Sequence, residues 1–204
     1  MNKKLLVTWY RVGFALLVIA AVLAQLAYSR RHIPGFSPAN FFSFFTIESN
    51  VFAAAVFLVA AKAKALGTQD RALDYLRGGA TLYMVVTGIV YAILLAGTDV
   101  QTPLLWVNSV LHYIFPVAIL LDWVFDRPSR KLSIKKSLLW LSFPVAYLGY
   151  SLIRGHFAHW YPYPFVNVDK LGYAAVAINS AVVAVAAVVL ALVIAQLPQL
   201  RRTK

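Results

Sequence analysis

The sequence predicts an all-α, polytopic membrane protein: one domain over residues 1–204, six transmembrane helices, both termini cytoplasmic. Three observations lead there. The chain is 61% hydrophobic with 13% charged residues and a mean hydropathy of +0.73, whereas soluble domains are nearer half apolar and a quarter charged. Apolar runs long enough to cross the hydrocarbon recur along it. Lys and Arg collect in alternate connections between those runs.

The first run covers residues 5–28. Lys3 and Lys4 precede it, as they would a signal peptide. The small-x-small cleavage pattern is poor near Ala24 and Ala27, and more runs follow, so it is read as a retained helix. Arg11 lies a turn inside and is expected to reach back to the interface. Residues 41–61 form the second span, entered through Pro34, Gly35 and Pro38. The third is 78–96. The fourth, 103–125, opens on Pro103, and proline suits a helix start. The fifth and shortest is 137–153, and the alanine- and valine-rich sixth is 171–197. No soluble domain fits between these runs, and no internal repeat is seen.

Charge sets the orientation. Lys3, Lys4, Lys62, Lys64, Arg71, Arg77, Arg127, Arg130, Lys131, Lys135, Lys136, Arg201, Arg202 and Lys204 fall on one side. Only Arg30, Arg31, Arg154 and Lys170 fall on the other. The basic side is read as cytoplasmic. The net charge of +12 then reflects topology and attraction to anionic lipid. No nucleic-acid partner is expected. Trp106, Trp160, Tyr161 and Tyr163 fall near the outer interface, and Trp9, Trp123 and Trp140 near the inner one. Cysteine is absent, which excludes disulfides, thiolate metal sites and a cysteine nucleophile.

Polar residues inside the spans are expensive and need a partner or a purpose. Thr46, Glu48 and Asn50 lie roughly 8–14 Å below the outer boundary, at about 1.5 Å of rise per residue. Asn108, His112, Asn179 and Ser180 lie at a similar depth, as do Thr87, Tyr91, Tyr147, Tyr150 and Ser151 on the antiparallel spans. Thr46 and Asn50 share a helix face, with Glu48 on another side. Asn108, His112 and Pro116 also fall in line. Pro116 has no N–H, so it frees the carbonyl of His112 and can bend the helix there. A small polar cavity in the outer half is the expected result. The Pro- and aromatic-rich segment 154–165 is placed over its mouth as a lid.

Two readings of these residues stand. In one, Thr46 is a nucleophile and His112 its general base, with Asn50, Asn108 or Tyr113 orienting the ring or holding an oxyanion. In the other, Thr46 bonds its own helix and His112 is interhelical polar glue. Glu48 is a proton acceptor, an orienter of His112, or the ion-pair partner of Arg154. Asp122 is expected to cap its helix or pair with Arg127, and Asp99, Asp126 and Asp169 to be ordinary loop charges. A zinc site from Glu48, His112, His156 and His159 has the right ligand types but no spacing signature, so no metal and no cofactor is expected. There is no nucleophile elbow, phosphate-binding glycine loop or paired acidic motif.

The chain resembles the androgen-induced membrane protein family, and within it the six-span bacterial branch. The carrying residues are Phe45-Thr46-Ile47-Glu48-Ser49-Asn50, Asn108-x-x-x-His112-x-x-x-Pro116 with Asp122-Trp123, and Trp160-Tyr161-Pro162-Tyr163-Pro164-Phe165. Animal members hydrolyse fatty acid esters of hydroxy fatty acids through an intramembrane threonine and histidine. The resemblance therefore implies a hydrolase of lipid esters with Thr46 and His112 catalytic; Glu48, Asn50, Asn108 and Asn179, at the same depth, are the residues expected in support. Its expected partners are membrane lipids and a fatty-acyl ester substrate. The alternative is a non-catalytic membrane protein: a lipid binder, small transporter or assembly partner.

Overall fold

The computed structural model describes residues 3–98, 102–128 and 131–197, and among them there are helices and connections but no strand. Asp99 lies outside these residues, as do Arg130, Arg201, Arg202 and Lys204 of the charge pattern.

Helix α1, Lys3–His32, runs 30 residues without a Pro and ends on Arg30, Arg31 and His32, cations that complement the negative end of the helix dipole. The short α2, Pro38–Phe42, has Pro38 in its first turn and Ser37 as N-cap, whose side chain accepts from the Asn40 N–H. The chain breaks at Ser43 and Phe44, so α3 is Phe45–Leu66 and starts four residues later than expected. It stops at Gly67, whose positive φ of 74° lets its N–H reach back to the last-turn carbonyls. Asp70 caps α4, Arg71–Val90, by accepting from the Leu73 N–H. That cap carries the third span seven residues upstream of its expected start. α4 runs on into a π-turn, Tyr91–Leu95.

The fourth span is one rod in three pieces: α5, Leu105–Ser109, a π-turn, Val110–Ile114, and α6, Phe115–Phe125. Beyond it come α7, Ile134–Ser137, a 3-10 turn, Leu138–Leu141, and α8, Ser142–Ala158. A second 3-10 turn, Pro164–Val166, leads into α9, Val168–Gln196, which bends at Gly172 (φ 73°).

Among the described residues, five helical stretches are long and apolar enough to cross a membrane: Lys3–His32, Phe45–Leu66, Arg71–Leu95, Leu105–Phe125 and Val168–Gln196. The expected fifth span, 137–153, falls instead on the 3-10 turn and α8. α8 itself is 17 residues long, short of the roughly 20 that a straight crossing takes. It buries only Ser151 and Gly155.

The core is built by α1 lying along α3, with α3 against α4 and α4 against α6 and α9. Ala15, Ala21, Ala53, Ala54, Ala60 and Ala61 are all buried. Small side chains let helix backbones approach closely where lipid offers no hydrophobic drive for association. Phe57 meets Phe115 edge-on at 5.4 Å, and the Trp123 indole N–H donates to the Ile194 carbonyl at 2.9 Å, joining α6 to α9.

One end of this bundle holds a buried ionic network, and it corrects four expectations. Arg11 does not reach the interface. It is fully buried and forked onto Asp122, with Nε–Oδ1 at 2.8 Å and Nη2–Oδ2 at 3.1 Å. Its Nη2 also reaches Asp126 Oδ2 at 2.7 Å. Arg77 is no loop charge either: it donates to Asp122 Oδ2 at 2.8 Å and Asp74 Oδ1 at 3.3 Å, with its guanidinium over the Trp123 ring. Asp122 therefore pairs with two arginines from other helices. Arg127 instead turns back to the Val124 carbonyl at 3.5 Å. Asp126 is buried and accepts from Lys64 at 2.6 Å. The physical reason is common to all four: a charge without water must find a counter-charge, and three cations face three carboxylates here.

Candidate functional site

The site lies at the opposite end of the bundle, where α3 begins. Its construction starts from Pro116. Without an N–H, this residue cannot bond the His112 carbonyl, and the ladder slips to the π form just before it. The Phe115 N–H bonds Val110 O, skipping Leu111 O. Asn50 on α3 fills that vacancy. Its Nδ2 donates to Leu111 O at 3.3 Å and to Thr46 O at 2.8 Å. The π-turn thus brings His112 to the first turn of α3, held there by Asn50.

Thr46 Oγ1 and His112 Nε2 are 3.2 Å apart, and His112 Nδ1 lies 3.2 Å from the Asn108 carbonyl. A carbonyl offers only lone pairs, so Nδ1 carries the proton and Nε2 is left to accept from the threonine hydroxyl. Thr46 Oγ1 also lies 3.3 Å from the Tyr163 hydroxyl, which accepts from the Thr46 N–H at 3.2 Å. One directed chain satisfies all four contacts: Thr46 N–H to the Tyr163 hydroxyl, Tyr163 O–H to Thr46 Oγ1, Thr46 O–H to His112 Nε2, and His112 Nδ1–H to Asn108 O. Thr46 and His112 are both buried, 8% and 3% exposed. The polar-glue reading expected Thr46 to bond its own helix; its hydroxyl instead points across to α5–α6.

The surroundings lock this chain. Tyr91 stacks on the His112 ring with centroids 3.9 Å apart, and its hydroxyl accepts from Asn108 Nδ2 at 2.6 Å. The Phe45 N–H donates to the Tyr147 hydroxyl at 3.1 Å, and Tyr147 donates to Ser43 O at 2.9 Å. Two tyrosine hydroxyls thus satisfy the orphan N–H groups at the start of α3. Ser49 and Thr87, 3.0 Å apart, tie α3 to α4. Gly88 lets α4 approach the π-turn: a Cβ there would stand 3.1 Å from Pro116 Cβ and 3.3 Å from the His112 carbonyl oxygen. Gly88→Val is expected to push the π-turn off α3 and cost about 1–3 kcal/mol, read as a lower melting temperature in detergent.

The segment after α8 covers the mouth. Trp160 and Tyr163 both meet Phe44 edge-on at 5.6 Å, and Tyr163 stacks on Phe165. Asn179 does not join the cluster. Its Nδ2 donates to the Phe165 carbonyl at 3.1 Å and anchors this covering segment. Glu48 is half-buried on another side of α3, and among the described residues no ion pair joins it to Arg154. Arg154 donates to Asn40 Oδ1 at 2.6 Å and lies over the Trp160 ring. Tyr113 is half exposed and packs edge-on against Tyr91. Its neighbour on the ring is Tyr91, and it touches neither Thr46 nor His112 by hydrogen bond. His159 meets Asp169 at the surface, and among the described residues no group of three or more His, Asp or Glu is placed to hold a metal ion.

Two cavities meet at Thr46 and Tyr163. One of about 20 Å³ has Thr46, His112 and Tyr163 in a largely apolar lining and is large enough for one water. An apolar cleft of about 190 Å³ lies between α4, α8 and α9. Tyr163 and Tyr91 were not singled out as site residues in the sequence. The usable signal for Tyr163 was the Tyr-Pro-Tyr-Pro segment, whose stiff backbone holds a polar tip over an apolar body. Comparison with known protein families, with curated proteins and with solved structures finds no match.

Proposed function

We propose that the chain is an intramembrane threonine/histidine hydrolase of lipid esters. The observation that carries this reading is the 3.2 Å contact from Thr46 Oγ1 to His112 Nε2 with Nδ1 committed to Asn108 O. It is the hydrogen-bonded pairing of nucleophile and oriented base that covalent ester hydrolysis needs. The resemblance in the segments around Thr46 and His112 points the same way. Thr46 Oγ1 attacks the ester carbonyl carbon as its proton passes to His112 Nε2. The tetrahedral oxyanion forms beside the Tyr163 hydroxyl, which turns to donate to it. Its collapse breaks the C–O bond, and the alcohol leaves with the proton from His112. A water deprotonated by His112 then attacks the acyl-threonine, releasing the acid and restoring Thr46. The test is turnover of p-nitrophenyl esters by purified protein in nanodiscs; folded wild-type protein without turnover overturns the reading in favour of a non-catalytic lipid-binding role.

The topology that accompanies this reading has six spans, α8 included, with both termini on the basic, cytoplasmic face of a bacterial inner membrane. Since the sequence holds no cysteine, single-cysteine mapping needs no background removal. Ala158→Cys is expected to react with an impermeant maleimide from outside intact spheroplasts, and Ala72→Cys only after permeabilisation. The same response from both positions would contradict six spans.

A further inference from the structure

We infer that the cleft between α4, α8 and α9 seats the acyl chain of the substrate, which enters sideways from the bilayer between α8 and α9, and that Ala184 sets how long a chain fits. This rests on the hydrolytic reading of Thr46 and His112. The cleft is walled almost wholly by apolar side chains and has Thr46 and Tyr163 in its lining. Its α9 wall is Ser180, Val183, Ala184, Ala187 and Val188, an i, i+3, i+4, i+7, i+8 series that is one helix face. That face runs about 12 Å along the axis at 1.5 Å per residue, the reach of a medium-length acyl chain. The opposite wall is α8, which buries only two of its residues, so little packing closes the gap from the lipid side.

The occupant follows from shape and chemistry. A helix is about 10 Å across with its side chains, too wide for a cleft of about 190 Å³. A linear hydrocarbon fits, and the cleft leads it to a hydroxyl that His112 accepts from. A chain leaving the bilayer gains no hydrophobic free energy by entering, because lipid tails are as apolar as the cleft. Selection therefore works by exclusion, and the alanine face is what leaves room. Ala184 is exposed along this face, so a larger side chain there fills the cleft and leaves the helix contacts alone.

The experiment compares Ala184→Phe with Val185→Phe, a control on the outward face of α9 at 64% exposure. For Ala184→Phe, the rate on p-nitrophenyl palmitate relative to butyrate is expected to fall about tenfold or more, and for Val185→Phe to stay as in wild type. A second arm needs no turnover: a fatty acid with a terminal diazirine is photolysed with Thr46→Ala protein. Adducts are expected within 141–148 and 180–188, and loss of them in the Ala184→Phe background. Cleft adducts without wild-type turnover would retain the seat and refute the hydrolase. Turnover with an unchanged chain-length ratio, and adducts spread over outward helix faces, would refute the seat. A probe-excluding dimer cross-linked through α9 would refute it too, with a second copy as the occupant.

Discussion

Thr46→Ala and His112→Ala are each expected to lower ester hydrolysis by about 10³-fold or more, while leaving the melting temperature within a few degrees. The size follows from the roles. General-base transfer alone is worth about 10² to 10⁴, and removing a nucleophile that acts as a unit with its base costs no less. The double variant is expected to match the singles, because neither residue retains a function without the other. Thr46→Ser is expected to keep substantial activity, since it retains the hydroxyl and the 3.2 Å partner at His112. A merely structural hydrogen bond predicts a different pattern: a stability loss of about 1 kcal/mol and no selective loss of turnover. Rates per folded molecule on the four variants separate the two.

Asp122→Ala is expected to cost about 3–5 kcal/mol, because it removes the carboxylate that two buried arginines share and leaves the network one negative charge short. Arg11 retains Asp126 and Arg77 retains Asp74, so the fold weakens without losing every ion pair. The check is thermal unfolding in a fixed detergent. Asp122 is ten residues along the rod from His112, about 15 Å, so protein that remains folded is expected to hydrolyse at the wild-type rate. Acid acts on the same network. Burial pushes the Asp126 carboxyl up, but the Lys64 hydrogen bond and the charges of Arg11 and Arg77 outweigh it and hold it below its ordinary value. A depressed carboxylate stabilises the fold fully above the unfolded value of about 4 and loses that contribution as pH falls through the lower folded value. Asp126→Asn should therefore flatten part of the acid limb of the melting-temperature profile.

These two regions differ in how far the sequence reveals them. Hydropathy marks the long apolar helices because each stretch carries its own signal. Depth placed Thr46 and His112 at one level, since rise per residue is fixed, and the i, i+4 rule put Asn50 on the face of Thr46. Pro116 announced a disturbance at His112, which the structure realises as a π-turn. The ionic network was invisible by comparison. Arg11 and Asp122 are 111 positions apart, and each looked solvable locally, by snorkelling or by Arg127. Which helices are neighbours decides that pairing, and no periodicity encodes it. Tyr163 was hidden for the same reason: a segment read as a lid supplies a hydroxyl to the first turn of α3.

Activation of the Thr46 hydroxyl by His112 is read by mass-spectrometric mapping of the adduct formed when purified wild-type protein meets an alkyl fluorophosphonate. Phosphonylation is expected at Thr46, abolished in Thr46→Ala and strongly slowed in His112→Ala. Folded wild-type protein left unmodified at Thr46, or modified there at the same rate without His112, would contradict it.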